Sequence, residues 1–171
     1  SFKNFELIII DDGSSDNSRE IIESYTKLEH VRVIFQKNKG LNITNNIAMR
    51  LAHGKYLVRL DADDYFRKDA IQKMCQKLES DPKLGLVFPD YFLIDSAGEA
   101  IAKEQRHAFD KNVSLLDQPA HGACTMIRRS FLEKLGGYNE SFSCQDGYDL
   151  WIRFTAKYRV ANINEPLFYY R

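Results

Sequence analysis

Phe5-Glu6-Leu7-Ile8-Ile9-Ile10 is a short, unbroken apolar run rich in β-branched residues, and it stops at Asp11-Asp12-Gly13-Ser14. Such a run reads as a strand buried on both faces, the kind found in parallel sheets. The residues after it, through Ser18, are those that start helices. The same alternation then repeats. Glu20 to Leu28 has helical composition, with Ile21, Ile22, Tyr25 and Leu28 on roughly one face, and Val31 to Phe35 reads as a second strand. A turn at Asn38-Lys39-Gly40 leads into a helix over Asn42 to Ala52 that ends near Gly54. Tyr56 to Leu60 is a third strand, and it runs straight into Asp61-Ala62-Asp63-Asp64.

Beyond that cluster, Lys68 to Ser80 is an amphipathic helix (Ile71, Met74, Cys75, Leu78) stopped by Asp81-Pro82. Leu86 to Phe88 and Tyr91 to Ile94 read as strands, with a turn at Ser96-Ala97-Gly98. Glu104 to Gln118 carries no clear pattern. Met126-Ile127 reads as a strand, Ser130 to Leu135 as a short helix, and Leu150 to Lys157 as a longer one. Strands alternating with helices predict an α/β domain, a three-layer α/β/α sandwich with a mostly parallel central sheet. The 171 residues suit one such domain, 1–171. In these sheets ligands collect beyond the carboxyl ends of the strands, where Asp11-Asp12 and Asp61 to Asp64 both stand.

Two acidic clusters in one crevice would repel each other and resist ionisation. A hard divalent cation removes the conflict. Mg²⁺ or Mn²⁺ favours carboxylate oxygen, takes one or two such ligands from protein, and leaves the rest to phosphates and water. Asp61 and Asp63, with Asp64 in support, are therefore metal candidates that could hold a diphosphate. The alternative is that these side chains cap helices and fill turns, which is the better reading for Ser14, Asp16 and Asn17.

Composition narrows the partners. Lys+Arg and Asp+Glu both number 24, which argues against a nucleic-acid binder. No apolar stretch approaches the roughly 20 residues of a membrane span, and no signal peptide is visible. Cys75, Cys124 and Cys144 are odd in number and lack metal-binding spacing, so they read as reduced thiols in a cytoplasmic protein.

Three blocks carry a specific resemblance: Phe5 to Ser18 (FELIIIDDGSSDNS), Asn38 to Asp64 (NKGLNITNNIAMRLAHGKYLVRLDADD) and Gly136 to Arg153 (GGYNESFSCQDGYDLWIR). In order and spacing they closely resemble family 2 glycosyltransferases of the Rossmann-like GT-A fold. The resemblance implies inverting sugar transfer from a nucleotide-diphosphate sugar, most often a UDP-sugar, to a saccharide or lipid-linked acceptor. The class is hexosyl or N-acetylhexosaminyl transfer, in cell-envelope polysaccharide synthesis. Asp11, with Asp12 as second choice, matches the aspartate that contacts the base. Gly40 and Asn46 match the family's donor-side Gly and Asn. Asp61 matches the ribose contact, and Asp63, with Asp61 and Asp64, the metal site for Mn²⁺ or Mg²⁺.

Asp146 matches the base that deprotonates the acceptor, with Asp149 as the alternative. Asp149 also lies four residues before Arg153, where an ion pair would form on a helix. His121 is either a substrate contact or a structural histidine. Tyr148 and Trp151 could stack on a sugar, although Trp151 suits a core. Two departures stand out: Asn45 occupies a place where the family often has Arg, and Gln145 replaces a common Glu. The family also has a strand and helix before Phe5 and a loop after Arg171. The chain therefore reads as a trimmed domain, with any peripheral membrane association supplied by the missing parts. Rival readings are a Mg²⁺-dependent phosphoacceptor domain, a nucleotidyltransferase, and a non-catalytic sugar-nucleotide binder.

Overall fold

The structure, a computed structural model, describes residues 2–106, 122–142 and 146–171, with the side chain of Asp146 excepted. The first apolar run forms β1 (Leu7–Asp11), which pairs in parallel with β2 (Val31–Phe35) in register from Leu7↔Val31 to Asp11↔Phe35. This strand was expected to be buried on both faces. Instead Phe5 and Leu7 are 44% and 41% exposed, and Asp11 is the one buried residue of β1.

The helix between these strands is shorter than its composition suggests. It comprises α1 (Ser18–Glu23) and then a 3-10 turn over Ser24–Lys27. The Ser24 hydroxyl donates to the Ile21 carbonyl at 2.6 Å and the Thr26 hydroxyl to that of Glu23 at 2.7 Å. Such side-chain bonds compete with the α-helical ladder, and the tighter turn breaks the 3.6-residue stripe. Ile21, Tyr25 and Leu28, expected on roughly one face of a helix, are exposed.

The main sheet has six strands: β3 (Tyr56–Val58), β4 (Tyr65–Phe66), β5 (Leu84–Ile94), β6 (Ala100–Glu104), β7 (Met126–Arg128) and β8 (Arg159–Tyr170). Their order is β3-β7-β5-β8-β4, and β6 also pairs with β5. The α/β architecture with a central sheet is as expected, but its directions are mixed. Among the described strands, β1/β2 and β5/β8 pair in parallel, whereas β3/β7, β5/β7, β5/β6 and β4/β8 pair antiparallel. Short connections enforce part of this, since strands joined by a tight turn can only be antiparallel. The β5–β6 turn is held by the Asp95 carboxylate, which accepts from the amides of Ala97 and Glu99 at 2.9 Å each.

Leu84 to Ile94 is one strand rather than the expected two. Pro89 lies inside it, where the register against β8 shifts between Pro89 and Asp90 and again at Tyr91. Irregularities of this sort tolerate a residue without an N–H.

Two helical layers cover the sheet. On one face Ala70, Met74 and Leu78 of α3 (Ala70–Glu79), spaced four apart and each 0% exposed, pack with Val87, Met126, Leu167 and Phe168. On the other, Leu132 of α4 (Arg129–Lys134) and Leu150, Trp151 and Phe154 of α5 (Asp146–Thr155) pack with Leu86, Phe88 and Ile127. Val87 faces one layer and Leu86 and Phe88 the other, as strand alternation requires. The end of α3 is satisfied from below by buried Arg128, which donates to the carbonyls of Leu78 at 2.9 Å and Leu84 at 3.2 Å. A further helix, α2 (Leu41–Leu51), precedes β3. No described helix is long and apolar enough to cross a membrane.

Candidate functional site

β1 ends in a pair of carboxylates with separate duties. Asp11, 6% exposed, accepts from the Ser14 amide at 2.8 Å, and that bond holds its carboxyl below the usual carboxylate range. Burial works against ionisation of Asp12. Its bonds from the Gln36 side chain at 2.7 Å and the amides of Lys39 and Gly40 at 2.9 Å nonetheless leave it lowered. Asp12 therefore ties the end of β1 to the loop that starts α2. Gly40 opens that helix at φ +85°, a left-handed conformation suited to glycine.

Asn46, on α2, is 3% exposed and committed at both ends of its amide. It donates to the Tyr138 carbonyl and to Glu140, both at 2.8 Å, and accepts from the Tyr138 amide at 2.8 Å. The structure thus places it as a clamp between α2 and the loop after α4. Gly137 sits against this clamp at φ +75°, where an added Cβ would collide with Asn46 Oδ1 and lie 3.0 Å from Met49 Cε. Gly137→Ala is expected to destabilise the fold by about 2–4 kcal/mol, from left-handed strain plus overpacking. Urea titration should show a lower midpoint at unchanged slope. An unaltered midpoint would mean the clamp relaxes freely.

The second acidic cluster lies beyond the carboxyl end of β3. The chain stays anchored for one residue more, since the Arg59 carbonyl accepts from the Cys124 amide at 2.8 Å. It then turns, with the Asp64 amide donating to the Asp61 carbonyl at 3.1 Å, and crosses to the opposite edge of the sheet as β4. The three carboxylates part company in this turn. Asp63 is exposed. Asp61 is paired with Arg59, whose Nε lies 2.9 Å from Oδ1 and whose Nη2 donates to Oδ2 at 3.3 Å. Asp64 is 8% exposed and accepts from the Arg171 amide at 3.1 Å, while its Oδ2 is buried without a partner among the described residues. Burial, reinforced by Asp61 and Asp63, pushes the Asp64 carboxyl up.

Among the described residues, no group of three or more His, Cys, Asp or Glu side chains converges as a metal site. One or two hard oxygens from this turn do match what Mg²⁺ or Mn²⁺ takes from protein when a diphosphate and water complete the shell. The donor set therefore fits such an ion held jointly with a nucleotide.

Sequence reasoning missed two arginines. Arg59 was legible in principle, because residues two apart at a strand end share a side. Arg106 was not. Its guanidinium is buried against the rings of Phe168, Tyr91 and Phe88, with centroids 5.1, 5.3 and 5.9 Å away. It donates to the Ala123 carbonyl at 3.4 Å, and its own amide donates to buried Asp90 at 2.9 Å.

Asp146 opens α5, but its side chain, like His121 and Gln145, lies outside the described residues. Asp149 forms the ion pair its spacing suggested, with Arg153 Nη2 at 2.6 Å and Nε at 2.8 Å. Arg153 also donates to the carbonyls of Leu135 at 3.1 Å and Gly137 at 2.9 Å, bracing α5 against the end of α4. Trp151 is 5% exposed and meets Phe88 edge-to-face at 6.0 Å, a core position. A small, largely apolar pocket lies beside it, lined by Leu86, Gly122, Thr125, Tyr138 and Gly147.

Residues 1–136 match glycosyl transferase family 2. The chain belongs to that family. This family 2 chain is 29% identical over 163 residues to chondroitin synthase of Escherichia coli, covering 95% of the chain and 24% of that relative. Its fold matches that of S. aureus TarS 1–349 in complex with UDP-GlcNAc, with a TM-score of 0.75, 17% identity, and coverage of 97% of this chain and 49% of TarS. It also matches the mannosyltransferase PcManGT from Pyrobaculum calidifontis in complex with GDP-Man and Mn²⁺, at a TM-score of 0.71 and 17% identity, over 96% of this chain and 47% of that one. The family 2 chain thus spans less than two thirds of the length of each of these relatives.

Proposed function

We propose that this domain transfers a sugar, of the hexosyl or N-acetylhexosaminyl class, from a nucleotide-diphosphate sugar to an acceptor hydroxyl with inversion. The observation that carries the reading is the acidic turn beyond β3, with Asp63 exposed and Asp61 beside it, in a chain of glycosyl transferase family 2. A nucleotide-sugar donor is supported by the UDP-GlcNAc bound to TarS and the GDP-Man bound to PcManGT. Chondroitin synthase, the E. coli relative, supports a saccharide acceptor in polysaccharide synthesis.

In this reading Asp11 meets the base, Asp61 the ribose, and Asp63 with Asp61 would hold Mn²⁺ or Mg²⁺. The bound ion would offset the charge that grows on the departing diphosphate. Asp146 accepts the proton of the attacking acceptor hydroxyl on a carboxylate oxygen as the glycosidic bond forms. Asp149 serves instead as the partner of Arg153, which favours Asp146 for the proton. Gly40 and Asn46 act through the loops they shape. His121 is the remaining candidate substrate contact, and the reaction would run at the cytoplasmic face of a membrane.

A thermal-shift screen of nucleoside diphosphates on the full-length protein tests the central claim. UDP with Mn²⁺ should raise the melting midpoint, and UDP without metal should not. Binding at one hundred times Kd would stabilise by about 2.7 kcal/mol, a readily visible shift. If no nucleotide stabilises the protein in a metal-dependent way, the reading fails.

A further inference from the structure

Among the described residues, Arg59 is the cation paired with the acidic turn, and the proposed reaction gives it no task. Its side chain is 17% exposed; Nη2 donates to one Asp61 oxygen at 3.3 Å, and Nε lies 2.9 Å from the other as an ion-pair contact. The pair therefore holds the Asp61 carboxylate by charge and by one hydrogen bond on Oδ2. The backbone beneath it is equally constrained. Its carbonyl accepts from the amide of Cys124, a fully buried residue held in the left-handed region at φ +52°. A non-glycine residue keeps that conformation only where its surroundings over-determine it. Arg59 therefore approaches Asp61 from a rigid base.

The consequence is electrostatic. Three carboxylates lie within four residues, at Asp61, Asp63 and Asp64. An open cluster of that kind would draw in a bare divalent cation. Here one carboxylate is already matched by a guanidinium, and another, Asp64, is buried and held by the Arg171 amide. Asp63 is left as the exposed anion. Arg59 lowers the net negative charge of the turn by one, which weakens its hold on a bare ion, whereas a cation arriving with a diphosphate brings its own oxygens.

We propose that Arg59 is a positioning residue that presets Asp61 and withholds it from a bare cation, so that the turn takes up metal only together with a nucleoside diphosphate. This rests on the assignment of the turn as the diphosphate site. A bland role in fold support would make Arg59 a brace without effect on which species binds, and the two roles predict opposite signs.

The test uses the full-length protein as wild type, Arg59→Met and Arg59→Lys. Titrations with Mn²⁺ alone and with UDP plus Mn²⁺ are followed calorimetrically, alongside the ligand-free melting midpoint. Removing a unit charge about 6 Å from a divalent ion in a water-like dielectric should tighten Mn²⁺ binding to Arg59→Met by roughly tenfold. UDP plus Mn²⁺ should bind that variant more weakly than wild type, because Asp61 has lost the guanidinium that holds it in place. Arg59→Lys should restore the wild-type response to Mn²⁺ alone and only part of the nucleotide affinity, since it keeps the charge and loses the guanidinium hydrogen bond.

The proposal is overturned if Arg59→Met leaves Mn²⁺ affinity unchanged. It is equally overturned if both titrations weaken along with the melting midpoint, which is the signature of a brace. If the wild type binds no UDP with Mn²⁺, the proposed function falls, while the comparison with Mn²⁺ alone still decides the role of Arg59.

Discussion

Asp63→Ala is expected to abolish the metal-dependent stabilisation by UDP and to lower sugar transfer on the order of 10³-fold, with no change in the ligand-free melting midpoint. The size follows from several kcal/mol of charge stabilisation at the leaving diphosphate, each 1.36 kcal/mol being about tenfold in rate. The unchanged midpoint follows from exposure, since Asp63 projects from the turn while Asp61 and Asp64 are held by Arg59 and by the Arg171 amide. Asp63→Asn keeps the shape and removes the charge, and it should behave like the alanine variant. Retention of Mn²⁺-dependent UDP stabilisation by either variant would remove Asp63 from the metal site. A fall in thermal stability alone would recast it as a turn former.

Asp146→Ala is expected to lower turnover by about 10²–10⁴-fold, the range typical of a lost general base, while UDP plus Mn²⁺ binds as in wild type. Asp149→Ala should do something different. It releases Arg153 from a two-contact ion pair and loosens the guanidinium that also holds the Leu135 and Gly137 carbonyls. The expected result is a loss of roughly 0.5–1 kcal/mol in urea unfolding and a minor change in turnover, consistent with a partly exposed pair. Single-turnover rates and unfolding midpoints on the two variants check this together. An inactive, fully stable Asp149→Ala beside an active Asp146→Ala would reverse the assignment.

How much of this was legible in the chain depends on how local each signal was. The strands around Ile8 to Ile10 and Val31 to Phe35, and the helical stripe of Ile71, Met74, Cys75 and Leu78, announce themselves through periodicity, although Ala70 rather than Ile71 or Cys75 joins Met74 and Leu78 in the core. Both predicted features are present in the structure. The position of Asp61 to Asp64 beyond a strand end was readable for the same reason.

What escaped reading is non-local. β4 is two residues long and exists because β8 is there to receive it, and β6 is a short, largely exposed strand whose partner is β5. Pro89 reads as a break because its compensation, the register shift opposite Ile163 and Pro166, lies 70-odd residues away in sequence. Arg106 is charged and yet buried, and the three rings that enclose it come from β5 and β8. The stripe on α1 misled because two hydroxyls, Ser24 and Thr26, tighten the turn that would have continued it.

Asn46 has a consequence for how the molecule can move. The two-stranded sheet and the six-stranded sheet share no backbone ladder among the described strands. α2, which packs with β1, is joined to the loop after α4 by side-chain amides, Asn46 to Tyr138 and Asn42 to the Phe142 carbonyl at 2.7 Å. Side-chain rivets of this kind open at a lower free energy than a paired strand, so the part of the chain that carries Asp11 can breathe as its own cooperative unit. The domain is in that sense two plates on a pliable seam, with Asp11 on one plate and the Asp61 to Asp64 turn on the other.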